Sequence, residues 1–275
     1  VSSAIIGEPH NNNTGGGFMS RYIAFLYGII SYAIFFVTFL YLIGFLANFL
    51  VPKSIDVGTL GPVGTALAID IALIALFGIQ HSVMARPGFK AAWTKLVPES
   101  VERSTYVLLS SVVLIVLYWL WRPVPTVVWE AQAPWLVGLL WGLFALGFGL
   151  VLVATFVINH FDLFGLRQVF LRLREKPYTD LPFQVRFLYR FVRHPLYVGW
   201  FLAFWATPRM TLGHLLFAIG MSAYILFAVR YEERDLVRHL GQAYVDYQKR
   251  VPKFVPRLTS VHEPVKARPM PAPHH

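Results

Sequence analysis

The chain has 275 residues, of which 56% are hydrophobic and only 14% charged, with a mean hydropathy of +0.56. Soluble domains carry about 25% charged residues, so this composition excludes a soluble globular protein and indicates an integral membrane protein. The absence of cysteine excludes disulfides, thiolate metal sites and a cysteine nucleophile. The net charge of +10 fits membrane topology and contact with anionic lipid. It does not fit nucleic-acid binding, because no basic run is interleaved with exposed aromatics.

Residues 1–20 contain Asn11-Asn12-Asn13 and Gly15-Gly16-Gly17 without a periodic apolar face. They read as a disordered arm rather than a signal peptide, and Met19 is a candidate natural start. Four apolar spans follow, each near the roughly 20 residues a bilayer needs. They run about Tyr22 to Val51, Pro62 to Gln80, Ser104 to Trp121 and Pro134 to Ile158. The first is long enough to tilt or to bend at Gly44. Gly138 and Gly142 lie four apart, where a neighbouring helix could approach closely. Asp70 sits inside the second span, where a carboxylate is costly unless paired. A hydrogen bond to a tyrosine or serine of another helix is the simplest account.

A polar stretch then leads to Arg193. Beyond it, Leu196 to Ala206 and Leu212 to Val229 are apolar, interrupted by Pro208-Arg209-Met210-Thr211. The first limb has the length of about 16 Å of helix, short of a full crossing. The limb can begin earlier, near Leu188, with a kink at Pro195. A helical hairpin results, with both polar flanks on one side. The expected fold is therefore all-α and polytopic, four spans plus a C-terminal hairpin. The membrane domain covers about residues 21–257, its C-terminal core 186–256. A disordered Pro-rich tail occupies 258–275.

Loop charge sets the orientation. The 81–103 loop carries Arg86, Lys90, Lys95 and Arg103, and the 159–195 segment carries seven Lys or Arg against three acids. The 52–61 and 122–133 loops are nearly neutral. The basic loops and both termini are expected in the cytoplasm, and the far side has no room for a site.

Four polar groups gather on the basic side. Gln80-His81-Ser82 closes span two, where His81 either faces headgroups or contacts a ligand. Asn159-His160-Phe161-Asp162 closes span four. There Asn159 and Asp162 can share a helix face, whereas His160 and Asp162 do not if the helix continues. Arg193-His194-Pro195-Leu196-Tyr197-Val198-Gly199 opens the hairpin, with Gly199 leaving space for a bulky ligand. Glu232-Glu233 closes it, one acid facing a ligand or Arg193 and the other solvent or another arginine. Tyr244 and Tyr247 lie three apart on a following helix. The histidines are scattered without metal-ligand spacing, and no dinucleotide or phosphate-loop fingerprint occurs. Without an evident inverted repeat, a transporter is disfavoured.

The ordered set Arg193-His194-Pro195-x-Tyr197-x-Gly199, Glu232-Glu233, Gly241-x-x-Tyr244-x-x-Tyr247 and Val251-Pro252 resembles the C-terminal core of membrane methyltransferases. These include the isoprenylcysteine carboxyl and phospholipid methyltransferases. His81-Ser82-Val83-Met84-Ala85-Arg86, Glu102-Arg103-Ser104-Thr105-Tyr106 and Asn159 to Gln168 further resemble the bacterial methanethiol S-methyltransferases. A family associated with denitrification shares the first two of these more loosely. The resemblance spans about residues 20–257. It implies a cytoplasm-facing pocket for S-adenosyl-L-methionine, built on a helical rather than a Rossmann fold. It maps Arg193, His194, Tyr197, Gly199, Glu232 and Glu233 onto the cofactor pattern, with Tyr244 and Tyr247 as its closure. It implies methyl transfer to a small thiol in the bacterial inner membrane.

The chemistry allows such a site. Arg193 or His194 can hold a carboxylate, and Glu232 or Glu233 an amino group or ribose hydroxyls. In-line displacement needs an aligned nucleophile. A base from the ends of spans two and four, among His81, Asn159, His160 and Asp162, would assist; His81, His160 or Asp162 would take the thiol proton. Alternatively the sulfonium field alone lowers the thiol pKa. A small pocket would be lined by Phe161, Phe164 and Trp200. A prenylcysteine or phospholipid acceptor, and a non-enzymatic membrane component of nitrogen-oxide metabolism, are the competing readings.

Overall fold

A computed structural model describes residues 18–179, 185 and 187–256. The Pro-rich tail and most of the N-terminal arm lie outside these residues. The expected all-α architecture holds. Five helices are long and apolar enough to cross a membrane. The first is α1 (Phe18–Ala47), so Phe18 to Ser20 belong to a helix rather than to the arm. Helix α1 is continuous through Gly44, whose carbonyl accepts from Phe49 N–H at 3.0 Å. The chain turns just beyond, with Asn48 and Leu50 at φ 54° and 58°.

After Pro62 come α2 (Val63–Met84), a short α3 (Pro87–Trp93) and α4 (Glu99–Leu120). Glu99 and Glu102 occupy the first turn of α4, where acidic side chains complement the positive end of the helix dipole. The loop after α4 holds a strand, β1 (Val127–Glu130). Helix α5 (Pro134–Ile158) follows, with proline at its first turn.

At Asn159 the helix stops and a new one starts. The Asn159 side chain accepts from Asp162 N–H, capping α6 (His160–Leu163), as asparagine favours. Gly165 then takes φ 87°, and a Cβ there would lie 2.6 Å from Ser104 Oγ and 2.7 Å from Ser104 N. Only glycine lets α7 (Leu166–Leu173) fold back against α4.

The hairpin forms, with unequal limbs. Helix α8 (Pro195–Trp205) has 11 residues and begins at Pro195. Proline there starts a helix rather than kinking one, as its fixed φ and missing N–H allow. Residues Phe187–Arg190 form a separate 3-10 turn. Strand β2 (Arg209–Thr211) pairs antiparallel with β1 at the far end, a small sheet the sequence reading did not anticipate. Thr211 then caps α9 (Leu212–Leu240), accepting from His214 N–H at 3.2 Å. Helix α9 runs well beyond Val229, so Glu232 and Glu233 lie within it and not at its end. Helix α10 (Gln242–Arg250) closes the described chain.

The helices form a ring in which α1 packs on α4 and α7, α4 on α2, α2 on α9, and α8 on both α9 and α5. Large apolar side chains such as Val37, Ile79, Leu139 and Phe227 are exposed, which a lipid surround covers at no cost. At the far end Phe45, Leu117, Trp121 and Phe217 are fully buried. Asp70 is fully buried there, and Oδ1 accepts the Arg122 backbone N–H at 2.9 Å. Its partner is thus a peptide group exposed by the end of α4, and neither a tyrosine nor a serine.

Glycine packing also differs from expectation. A Cβ on Gly138 or Gly142 would meet nothing within 4 Å, whereas one on Gly147 would lie 2.8 Å from Gly199 O. The close crossing is α5 on α8, through Gly147 and Gly199. At the basic end the helices enclose open volume.

Candidate active site

That volume is a cavity of about 1490 Å³. Its inner wall is apolar, from Phe39, Phe77, Trp200, Phe204 and Phe217, and its mouth carries Arg86, Lys90, Glu102, Arg103 and Asp235. Arg86 joins Asp235 at 3.5 Å and lies over the Tyr231 ring at 4.4 Å, fastening the end of α2 to α9.

The cavity brings together His81, Asn159, His160, Asp162, Arg193, His194, Tyr197, Glu232, Tyr244 and Tyr247. Three predicted residues stand elsewhere. Gly199 is buried against α5, where a Cβ would lie 2.9 Å from Val151 N; the space beside it is filled by a helix and not open to a ligand. Glu233 sits behind the wall, and Phe161 is 55% exposed on the outside. Phe164 and Trp200 do line the cavity.

The two glutamates diverge, as neighbours on a helix must. Glu232 Oε2 accepts from Tyr197 Oη at 2.8 Å on the cavity side. Glu233 is surrounded by Arg193 at 3.2 Å, His194 at 3.0 Å and Lys253 at 2.8 Å. Such a buried carboxylate is tolerable only because cations and hydrogen bonds surround it. The segment after α10 runs along the same place. Arg193 N–H donates to Pro252 O at 2.9 Å and His194 N–H to Lys253 O at 3.3 Å. Pro252 and Lys253 therefore supply backbone acceptors, and Lys253 a second cation beside Arg193 that sequence reasoning missed.

Tyr244 and Tyr247 are buried, and Tyr247 Oη donates to Tyr189 O at 2.7 Å. Burial pushes both phenols well above their ordinary value, so they act as neutral packing and hydrogen-bonding groups.

On the opposite wall, His160 is 4% exposed and stacks on Phe156. Tyr32 Oη lies 2.8 Å from Nε2, and Thr155 Oγ1 lies 2.9 Å from Nδ1. Burial holds this imidazole below its ordinary value of 6.5, so it is neutral at neutral pH. Asp162 pairs with Arg167 at 3.0 Å and accepts from Tyr178 Oη at 3.2 Å. It is a structural node between α6 and α7 as much as a cavity wall. His81 contacts Tyr106 and Ser110 of α4, at 2.8 and 3.1 Å. Tyr106 falls in the Glu102-to-Tyr106 motif, which sequence reasoning singled out without assigning it a role.

A methyl donor of the sulfonium amino-acid type fits these groups. The buried Arg193 Nε has no hydrogen-bond partner among the described residues, an unusual state for a donor that an incoming carboxylate would relieve. Among the described residues, no group of three or more His, Asp or Glu could hold a metal ion.

Fold and cavity define a polytopic all-α membrane protein with a deep site at its basic end. Residues 70–261 match the NnrU protein family. The methanethiol S-methyltransferase of Mycobacterium tuberculosis is 53% identical over 238 residues, covering 86% of this chain and 98% of that protein. Methanethiol S-methyltransferase 2 of Bradyrhizobium diazoefficiens is 52% identical, covering 87% and 92%. Nurim of Mus musculus is 32% identical over 180 residues, covering 62% and 68%. No solved structure matches the chain. The chain belongs to the NnrU family and to the family of methanethiol S-methyltransferases.

Proposed function

We propose that this protein transfers a methyl group from S-adenosyl-L-methionine to the sulfur of methanethiol, giving dimethyl sulfide, at the cytoplasmic face of a bacterial inner membrane. The observation that carries this reading is a single cavity joining Arg193, Tyr197 and Glu232 to the histidines ending α2 and opening α6. The printed names of the relatives supply the thiol, and the basic loops supply the orientation.

The donor would bring an electrophilic methyl on a sulfonium. Arg193, oriented by Glu233 and the Pro252 carbonyl, binds a carboxylate through its unpartnered Nε. Glu232, aligned by Tyr197, accepts from an ammonium or from ribose hydroxyls. His194 is held by Glu233 and positions the start of α8, while Tyr244 and Tyr247 support this wall from behind. The aromatic inner wall excludes water and accepts a small apolar thiol. His81, His160 or Asp162 takes the thiol proton, with Asn159 fixing the turn that presents His160 and Asp162. The sulfonium field alone is the alternative activator.

The volume favours one further reading. Drug-sized ligands occupy about 300–1,000 Å³, and a cavity of about 1490 Å³ has room for an acceptor larger than methanethiol beside the donor. Titration with S-adenosylhomocysteine, then turnover of methanethiol, a prenylated cysteine and phosphatidylethanolamine, tests these readings together. Tight binding with turnover of the thiol alone is expected. Turnover of a lipid substrate alone would replace the thiol reading. Failure to bind would favour a non-enzymatic membrane component.

A further inference from the structure

We infer that Tyr106 is a catalytic residue that takes the proton of the thiol while passing its own proton to His81. This rests on the thiol reading above.

The geometry arises from three contacts between α2 and α4. Tyr106 Oη lies 2.8 Å from His81 Nε2, and both residues line the cavity. His81 Nδ1 lies 3.1 Å from Ser110 Oγ, and that oxygen also accepts from Gln80 Nε2 at 3.3 Å. A hydroxyl oxygen has two lone pairs, enough for Ser110 to accept both from the Gln80 amide and from a proton on Nδ1, the tautomer that the relay requires. A neutral imidazole protonated at Nδ1 has its lone pair on Nε2. That lone pair faces the Tyr106 hydroxyl, which donates to it. The imidazole stacks on Phe77 with centroids 5.2 Å apart, which fixes its plane.

The basic nitrogen of His81 is thus covered by a phenol, and a thiol proton reaches it through Tyr106. The second imidazole does not offer this route. His160 is also paired with a tyrosine, but Tyr32 is not among the described residues lining the cavity. The phenol is also held in place by Arg103, whose guanidinium lies 5.0 Å from the Tyr106 ring centre and donates through Nε to Leu163 O at 2.7 Å.

In the step, the sulfur–hydrogen proton moves to Tyr106 Oη and the Tyr106 proton to His81 Nε2. The thiol sulfur forms its bond to the methyl carbon as the carbon–sulfonium bond breaks, and that electron pair stays with the donor sulfur. One positive charge is lost from the sulfonium and one appears on the imidazolium. The thiolate is the nucleophile, so the relay matters for a protonated alkyl thiol and not for one already ionised.

That difference supplies the test. Ethanethiol and 2,2,2-trifluoroethanethiol share a two-carbon skeleton, but at mildly alkaline pH, where the assays are run, the second is largely ionised and the first still protonated. Tyr106→Phe should lose about 100-fold in kcat on ethanethiol, the range of a lost proton-transfer group, and less than about threefold on the fluorinated thiol. Binding of S-adenosylhomocysteine should be retained. Wild-type protein should show a solvent deuterium isotope effect with ethanethiol and none with the fluorinated thiol, a measurement that does not depend on the variant folding. Equal losses on both thiols, or the same isotope effect for both, would overturn the role of Tyr106 alone. Wild-type protein that turns over neither thiol would overturn the underlying reading instead.

Discussion

His194 and Glu233 are 39 positions apart in sequence and 3.0 Å apart in space. Their contact joins the start of α8 to the last third of α9. It holds the hairpin closed at the end where the cavity opens. The same carboxylate also meets Arg193 and Lys253, so two separate segments converge on one buried acid of α9.

Removing that charge should cost both stability and binding. Glu233→Gln leaves Arg193, His194 and Lys253 around a neutral amide. Breaking a buried ion pair from one side costs about 3–5 kcal/mol. A clear drop in melting temperature in detergent, together with weaker binding of S-adenosylhomocysteine, is expected. Unchanged melting would show that Arg193 and Lys253 relax into solvent.

Glu232 predicts a different outcome from its neighbour. It faces the cavity and accepts from Tyr197. Glu232→Gln should weaken S-adenosylhomocysteine by about 10–100-fold, the value of one hydrogen bond to a charged group, while melting changes little. Calorimetric titration of the two variants side by side checks the separation of roles.

The glycine crossing predicts a stability effect with no chemistry in it. Gly199→Val places carbon against Gly147 O, 2.7 Å from where a Cβ would sit, and overpacking of this kind costs about 1–3 kcal/mol or more. Gly142→Ala meets open space and should leave the melting temperature unchanged. Thermal melts of both distinguish helix packing at Gly199 from a ligand gap, since a gap would tolerate valine.

His160 links stability to pH. Its imidazole is held below its ordinary value of 6.5 by burial, so the unfolded chain binds this proton more readily than the folded one. Stability from this residue is therefore present above pH 6.5 and falls as the solution is acidified below it. Melting temperature should drop between pH 7.5 and 5.5, and drop less in His160→Gln. An identical pH dependence in the two proteins would show that His160 does not carry the effect.

The C-terminal motif was legible because its spacing is local. Two adjacent acids and two tyrosines three apart read directly from the chain, whereas Pro195 read as a kink and proved to be a helix start. Asp70 was legible as a paired carboxylate but not as the partner of the Arg122 peptide. A backbone N–H has no sequence signature, and only the end of α4 brings it near. Gly199 was misread because a glycine that admits a ligand and one that admits a helix look the same in sequence. Tyr106 stood inside a motif of the resemblance but carried no sign of a role. Its importance depends on facing His81 across two helices.

The sequence by itself determined the membrane class, the first four long spans and the two polar flanks of the hairpin. Those follow from composition and local periodicity, which act over one helix at a time. The tertiary structure decided which of the two glutamates faces the cavity, which glycine packs and which tyrosine meets an imidazole. Each depends on the rotation of one helix against another, and that rotation is set by packing between residues far apart in the chain.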